Sequence, residues 1–232
     1  MAEERLTDRM ARLLWQEAEP GLDERPRTDG AVLVMTAGVP LSGKSRFARS
    51  LVDASAQAVF FVENDAVRTR LADAMGRERP EHDKTENFLT YRTAWNLIRI
   101  GLENGVHVVH DATNLTERGR EDAYHEALRQ DASVVVVFVV ADRDVLGSRY
   151  EAVSEDRQEA YDKLGRKEVD PDACTMPFLV VDGADEADEQ VAKARRHVVL
   201  RRLFVPSDHT GGRTLVEARE DDEVARAAAR NP

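Results

Sequence analysis

Residues 38–45 read Gly-Val-Pro-Leu-Ser-Gly-Lys-Ser, a G-x-x-x-x-G-K-S pattern placed directly after the apolar run Ala31 to Thr36. Glycine at both positions lets backbone N–H groups turn inward and cradle phosphate oxygens, because no side chain blocks the approach. Lys44 then brings positive charge to the β and γ phosphates, and the Ser45 hydroxyl is an oxygen ligand suited to Mg²⁺. A helix from Ser42 to Leu51 would present its N-terminus to the anion. The expected nucleotide-binding residues are therefore Gly38, Ser42, Gly43, Lys44, Ser45 and Arg46, with ATP as co-substrate and Mg²⁺ as the metal.

Two further segments carry polar residues just after apolar runs. Phe60-Phe-Val-Glu-Asn-Asp65 leads into a helix that bears Arg68 one turn later. A carboxylate at Asp65 can accept a hydroxyl proton, and an arginine at Arg68 can hold an anionic acceptor. Val108-Val-His-Asp111-Ala-Thr113-Asn114 places a second carboxylate, a hydroxyl and an amide at the end of another run. Helix N-capping is the structural alternative for both aspartates.

The elements that must position these groups alternate. Apolar, β-branched-rich runs recur at 31–36, 58–62, 106–110, 133–140 and 178–181, with helical spacing between them. This predicts an α/β fold with a P-loop NTPase-type parallel sheet of about five strands and helices on both faces. Right-handed crossovers put the loop-bearing strand ends on one edge, where ligands of such sheets bind. Expected helices include 86–103, with Phe88, Trp95, Leu97 and Ile98 as core residues, and 117–130 capped by Thr116. A charge-dense helical stretch covers 144–167, and a last helix covers 191–204. The organisation expected is an amphipathic helix and linker over 1–30, breaking at Pro20-Gly21, a main domain over 31–206, and a polar tail over 207–232.

Composition narrows the classes. The chain has 232 residues, 42% hydrophobic, a net charge of -11 and one cysteine, Cys174. That charge disfavours broad non-specific binding to nucleic acid. No apolar run approaches the roughly twenty residues that span a bilayer, and the N-terminus has no apolar signal core, so a cytoplasmic protein without membrane partners is expected. His107 and His110, three apart on a strand, point to opposite faces and offer no zinc site.

With these residues in hand, the chain from about 31 to 202 resembles the P-loop kinases related to polynucleotide 5′-hydroxyl kinase domains and zeta-toxin-like kinases. The carriers are the loop at 38–45, Asn64-Asp65-Ala-Val-Arg68, and His110-Asp111-Ala-Thr113-Asn114-Leu followed by Arg118 and Arg120. The resemblance implies that Asp65 is the general base and that Arg68 binds a phosphate of the acceptor. It also implies that Asp111, Thr113, Asn114 and Arg118 line the acceptor site. An arginine-bearing lid at 144–167 is implied too, with Arg149 as first candidate for the transferred phosphoryl and Arg157 as second. On a continuous helix those two arginines stand about 12 Å apart at 1.5 Å per residue, so they meet one phosphate only if the helix breaks. Leu41 stands where this group usually has glycine, and Arg46 where it usually has threonine.

The function expected is ATP-dependent transfer of the γ-phosphoryl group to a hydroxyl, with Asp65, Lys44 and Arg149 as catalytic residues. Motif resemblance points to a polynucleotide 5′-hydroxyl end; the acidic balance points to a nucleoside, nucleotide sugar or antibiotic-like alcohol. A nucleotide-driven switch or motor fits less well, because Ala112 follows Asp111 where a water-activating glutamate would stand and no Asn-Lys-x-Asp motif occurs. A non-catalytic nucleotide-binding module is the third class.

Overall fold

In a computed structural model, residues 5–167 and 169–205 are described. The expected tail at 207–232 lies outside them. Among the described residues, β1 (Val32–Ala37), β2 (Val59–Glu63), β3 (His107–Asp111), β4 (Ser133–Val140) and β5 (Phe178–Asp182) form one sheet in the order β2-β3-β1-β4-β5. Every neighbouring pair is parallel, so each connection is a crossover. The α/β P-loop NTPase-like sheet expected from the alternating runs is what the chain forms.

Burial on both faces explains why the strands read as near-continuous apolar runs. Side chains alternate across the pleat, so Leu33 and Met35 join one core with Phe60, Val108, Val136 and Phe138, while Val32 and Val34 join another with Val109, Val135 and Val137. The first face is covered by α1 (Leu6–Leu22), α3 (Asn64–Ala74), α4 (Lys84–Glu103) and α5 (Glu117–Arg129). The second is covered by α2 (Lys44–Asp53), α8 (Ala187–Arg196) and a 3-10 turn at Leu200–Phe204. Trp15 of α1 meets the Phe60 ring edge-on at 5.1 Å, which docks that helix on β2.

Several local expectations differ from the outcome. Helix α1 continues through Pro20 to Leu22, so the break expected at Pro20-Gly21 falls after Leu22. Phe88 is 63% exposed, since α4 turns Leu97 and Ile98 inward and Phe88 away. The stretch after 144 is broken into α6 (Arg143–Glu151) and α7 (Glu155–Leu164) by Ala152-Val153-Ser154. The last predicted helix divides at His197, whose extended backbone ends α8. No described helix is long and apolar enough to cross a membrane.

Buried histidines tie the sheet together. The Val32 N–H donates to His107 Nδ1 at 3.0 Å, which leaves His107 Nε2–H to donate to Gln57 Oε1 at 3.1 Å. Burial, helped by the charge of Arg202, pushes the His107 pKa down to about 3; burial pushes His110 down to about 4. Both folded values lie below the ordinary 6.5, so the unfolded chain takes up protons first as pH falls. Stability is full above about pH 6.5 and falls toward the folded values. Between pH 7.5 and 5 the two should together remove about 4 kcal/mol. Urea unfolding at the two pH values measures this, and replacing both histidines by glutamine should flatten the difference; an equally steep loss in the double variant would remove them as its source.

Candidate active site

The phosphate loop connects β1 to α2, and its backbone is built for close approach. Gly38, Leu41 and Gly43 all have positive φ, at 152°, 69° and 104°. A Cβ on Gly38 would stand 2.4 Å from the Val139 carbonyl oxygen, which no side chain tolerates. Leu41 adopts the same half of backbone space with a bulky side chain, a conformation costing roughly 1–2 kcal/mol. Ser42 Oγ is buried and has no hydrogen-bond partner. Such an orphaned hydroxyl beside a glycine cradle fits an anion as its missing partner.

Lys44 opens α2 and is only 8% exposed, with Nζ donating to the Val39 carbonyl at 2.7 Å. Burial lowers its pKa to about 8, partly offset by the negative charges of Asp111 and Asp65. Ser45 follows, half-buried, and Arg46 is exposed.

Asp65 is exposed in the first turn of α3, and Asp111 is buried as the last residue of β3. Neither is an N-cap: Glu63 precedes α3, and Thr116 caps α5 by accepting from the Gly119 N–H. Asp111 is held by Thr36 at the end of β1, whose Oγ1 donates to Asp111 Oδ1 at 2.9 Å. Asn114, with φ 41°, donates from Nδ2 to the Thr36 carbonyl at 2.8 Å, and the Gly38 N–H donates to the Thr113 carbonyl at 3.0 Å. The β3–α5 loop is thereby laced to the phosphate loop through Asn114's side chain and Thr113's backbone.

Arg120 closes that lacing from beneath. Its side chain is buried, with Nη1 donating to the Asn114 carbonyl at 2.6 Å, Nη2 to Glu117 at 2.6 Å and Nε to Tyr124 at 2.7 Å. The guanidinium also lies over the Phe138 ring, 5.3 Å from its centroid. Arg118, two residues earlier on α5, is exposed. Spacing of Glu117, Arg120 and Tyr124 at three and four residues is the signal that would have found Arg120. The Thr36 hydroxyl, closing an apolar run just before the loop, is the corresponding sequence signal on β1.

Arg68 is buried in α3 and is already engaged. Nη1 donates to Asn87 Oδ1 at 2.6 Å and lies 3.4 Å from Glu86 Oε1, both on α4. The fully buried Glu86 also accepts from Arg77 at 3.0 Å and from the backbone N–H groups of Glu81 and His82 at 2.9 and 3.1 Å. Burial alone would raise the Glu86 pKa; those backbone N–H groups, with Arg68 and Arg77, hold it below the ordinary value. His110 Nε2–H donates to Asn64 Oδ1 at 2.9 Å, fixing the turn that presents Asp65.

The opposite wall of the loop is the turn after β5. Arg149 of α6 donates to the Leu41 carbonyl at 2.8 Å and to the Gly183 carbonyl at 2.6 Å, and Arg46 donates to the same Gly183 oxygen at 2.9 Å and to the Asp185 carbonyl. Burial, with Arg46 close by, lowers the Arg149 pKa, and Asp182 opposes that. Arg157 stands exposed on α7, so the break after Glu151 does not bring it into the Arg149 cluster. A Cβ on Gly183 would lie 1.7 Å from the Ser42 carbonyl oxygen. Gly183→Ala should therefore force this turn off the loop, costing about 1–3 kcal/mol in thermal unfolding and weakening ATP binding with it. An unchanged melting temperature would show that the two backbones do not pack this closely.

Similar folds occur among solved structures. A sugar kinase from Janibacter sp. superposes with a TM-score of 0.52 at 18% identity, covering 72% of this chain and 92% of its own. A putative kinase from Chloroflexus aurantiacus gives 0.58 at 16%, covering 72% and 98%. The APS kinase of Mycobacterium tuberculosis, in complex with AMPPNP and APS, gives 0.53 at 18%, covering 72% and 95%. At these identities the likeness is one of fold. No curated protein matches the sequence. A family profile described as AAA domain matches residues 33–169, from β1 past α7, and so takes in the phosphate loop, Asp65 and Asp111. With more than half of its length matched, the chain belongs to the AAA domain family, with an α/β P-loop NTPase-like fold.

Proposed function

We propose that the protein is an ATP-dependent kinase that transfers the γ-phosphoryl group to an acceptor hydroxyl, with Asp65 as general base. One observation carries this: Asp65, exposed just after β2, lies at the same sheet edge as Asp111, which ends β3, and the phosphate loop, which follows β1. Phosphoryl transfer asks for charge and position more than for covalent chemistry, and this site offers both.

In the proposed reaction the acceptor O–H gives its proton to the Asp65 carboxylate as the oxygen forms a bond to the γ phosphorus. The bond from γ phosphorus to the β,γ-bridging oxygen breaks, and ADP leaves with that electron pair. Lys44 leaves the Val39 carbonyl for the phosphates, where its charge offsets what builds up in transfer. The Gly38 cradle and Ser42 orient the phosphate chain. Thr36 and Asn114 hold Asp111 and the β3–α5 loop against the phosphate loop.

The Ser45 hydroxyl and the Asp111 carboxylate are oxygen donors at the loop, a donor set that suits Mg²⁺. When bound, the ion would supply positive charge that offsets the charge on the phosphates, held by Ser45 and Asp111. Arg149 is the arginine on hand for the phosphates, provided it exchanges the Leu41 and Gly183 carbonyls for them. Thr113 and Arg118 complete the acceptor side in this reading, with Arg157 reaching the nucleotide only by movement of α7. A polynucleotide 5′-hydroxyl end is the acceptor that the motif resemblance implies, and a small alcohol is the alternative.

The test is transfer of label from γ-radiolabelled ATP with Mg²⁺ to a 5′-hydroxyl oligonucleotide, nucleosides, nucleotide sugars and aminoglycoside-like alcohols. Label on any acceptor, lost in Asp65→Ala, supports the kinase. Tight ATP binding without transfer to any acceptor would favour a nucleotide-binding module.

A further inference from the structure

Arg68 has the position of an acceptor-binding arginine but not the electrostatics of one. A guanidinium that receives a phosphate needs uncompensated charge and open donors. Here the side chain is 9% exposed, and its Nη1 is spent on Asn87 and on a fully buried glutamate. Its Nε–H has no partner and is itself shut off from solvent. Glu86 cannot easily give way, because two backbone N–H groups and Arg77 also hold its carboxylate. A phosphate arriving at Arg68 would come to rest beside the Glu86 charge, a like-charge contact in a partly desolvated wall.

We infer that Glu86 sets acceptor specificity by neutralising Arg68, and that the acceptor is a neutral hydroxylic compound, carrying no phosphate where it passes α3. This rests on the kinase reading and narrows its substrate class: a sugar-like or nucleoside-like alcohol fits, and a nucleic-acid end with a phosphate at that point does not. Arg68 and Asn87 then form a fixed wall, and Asp65, three residues before Arg68 on the same helix face, stays turned to the hydroxyl.

The matched probes are adenosine and adenosine 3′-monophosphate, each with a 5′-hydroxyl and differing in one phosphate. Their binding is measured by calorimetry with a non-hydrolysable ATP analogue present. In the wild type the phosphate should bring no gain in affinity. In Glu86→Gln, which keeps an acceptor for one of the Glu81 and His82 N–H groups, the monophosphate should bind about tenfold or more tightly than in the wild type. That gain should vanish in the Glu86→Gln, Arg68→Gln double variant. Asn87→Ala, which releases Nη1 and leaves Glu86 intact, should give a smaller gain in the same direction and serves if Glu86→Gln fails to fold. A wild-type preference for the monophosphate that Arg68→Gln abolishes would overturn the proposal, and so would the absence of any gain in both variants. Neither result depends on phosphoryl transfer, so a failure of the kinase reading shows up separately, as label on no acceptor.

Discussion

Asp65→Ala should lower phosphoryl transfer by roughly 10²- to 10⁴-fold, the range for a lost general base, while ATP binds nearly as before. The site's construction separates the two effects. Asp65 is exposed, and its side chain carries no hydrogen bond that holds the phosphate loop, so its removal leaves the cradle intact. The turn that presents it is fixed independently by the bond from His110 to Asn64, and α3 packs on the core through Val67 and Leu71. The fall should appear in kcat rather than in KM, since a base acts on the transition state and not on ground-state binding. Transfer that persists unchanged in Asp65→Ala would take Asp65 out of the mechanism and hand the proton to another group.

Lys44→Met should act in two opposite directions, raising the stability of the ligand-free protein and abolishing its response to ATP. Its ammonium is buried, and burial lowers its pKa from 10.5 to about 8 despite the nearby carboxylates. That difference amounts to a cost on the order of 3 kcal/mol for holding the charged form in the fold, and methionine removes the charge while keeping the volume. Part of the gain is lost with the 2.7 Å bond to the Val39 carbonyl, so a net gain of about 1–3 kcal/mol is expected. The stabilisation that ATP gives the wild type, about 2.7 kcal/mol at a hundredfold excess over Kd, should disappear. Transfer should fall by at least about 10²-fold.

The same buried lysine sets a pH dependence. Its charged form, which binds phosphate, is populated below about pH 8 in the free protein, so ATP affinity should decline as pH rises through that value. Melting curves with and without ATP, together with ATP titrations at pH 7 and 9, read all three effects. A destabilised Lys44→Met protein that still melts higher with ATP would refute the placement of the lysine at the phosphates.

What the sequence determined by itself is local and periodic. The loop at 38–45 needs glycine for positive φ and close approach, and glycine is visible as a letter. The five strands are apolar runs because both sheet faces are covered, and the helices between them follow from spacing and from caps such as Thr116. Strand-end placement alone puts Asp65 and Asp111 on one edge.

Only the tertiary structure decided who pairs with whom, because those partners are far apart in the chain and meet through sheet order and helix packing. Phe88 satisfies the helical period as well as Leu97 does, and only the packing of α4 turns one out and the other in. Arg149 and Arg46 converge on the Gly183 carbonyl because β5 lies beside β4. Thr36 aligns Asp111 because β3 and β1 are neighbours in the sheet. Arg68, whose residue type and position suggested a phosphate ligand, is neutralised by Glu86 because α3 and α4 pack together. Availability of a charge is a property of the pair, and pairing at a distance is what a linear sequence does not record.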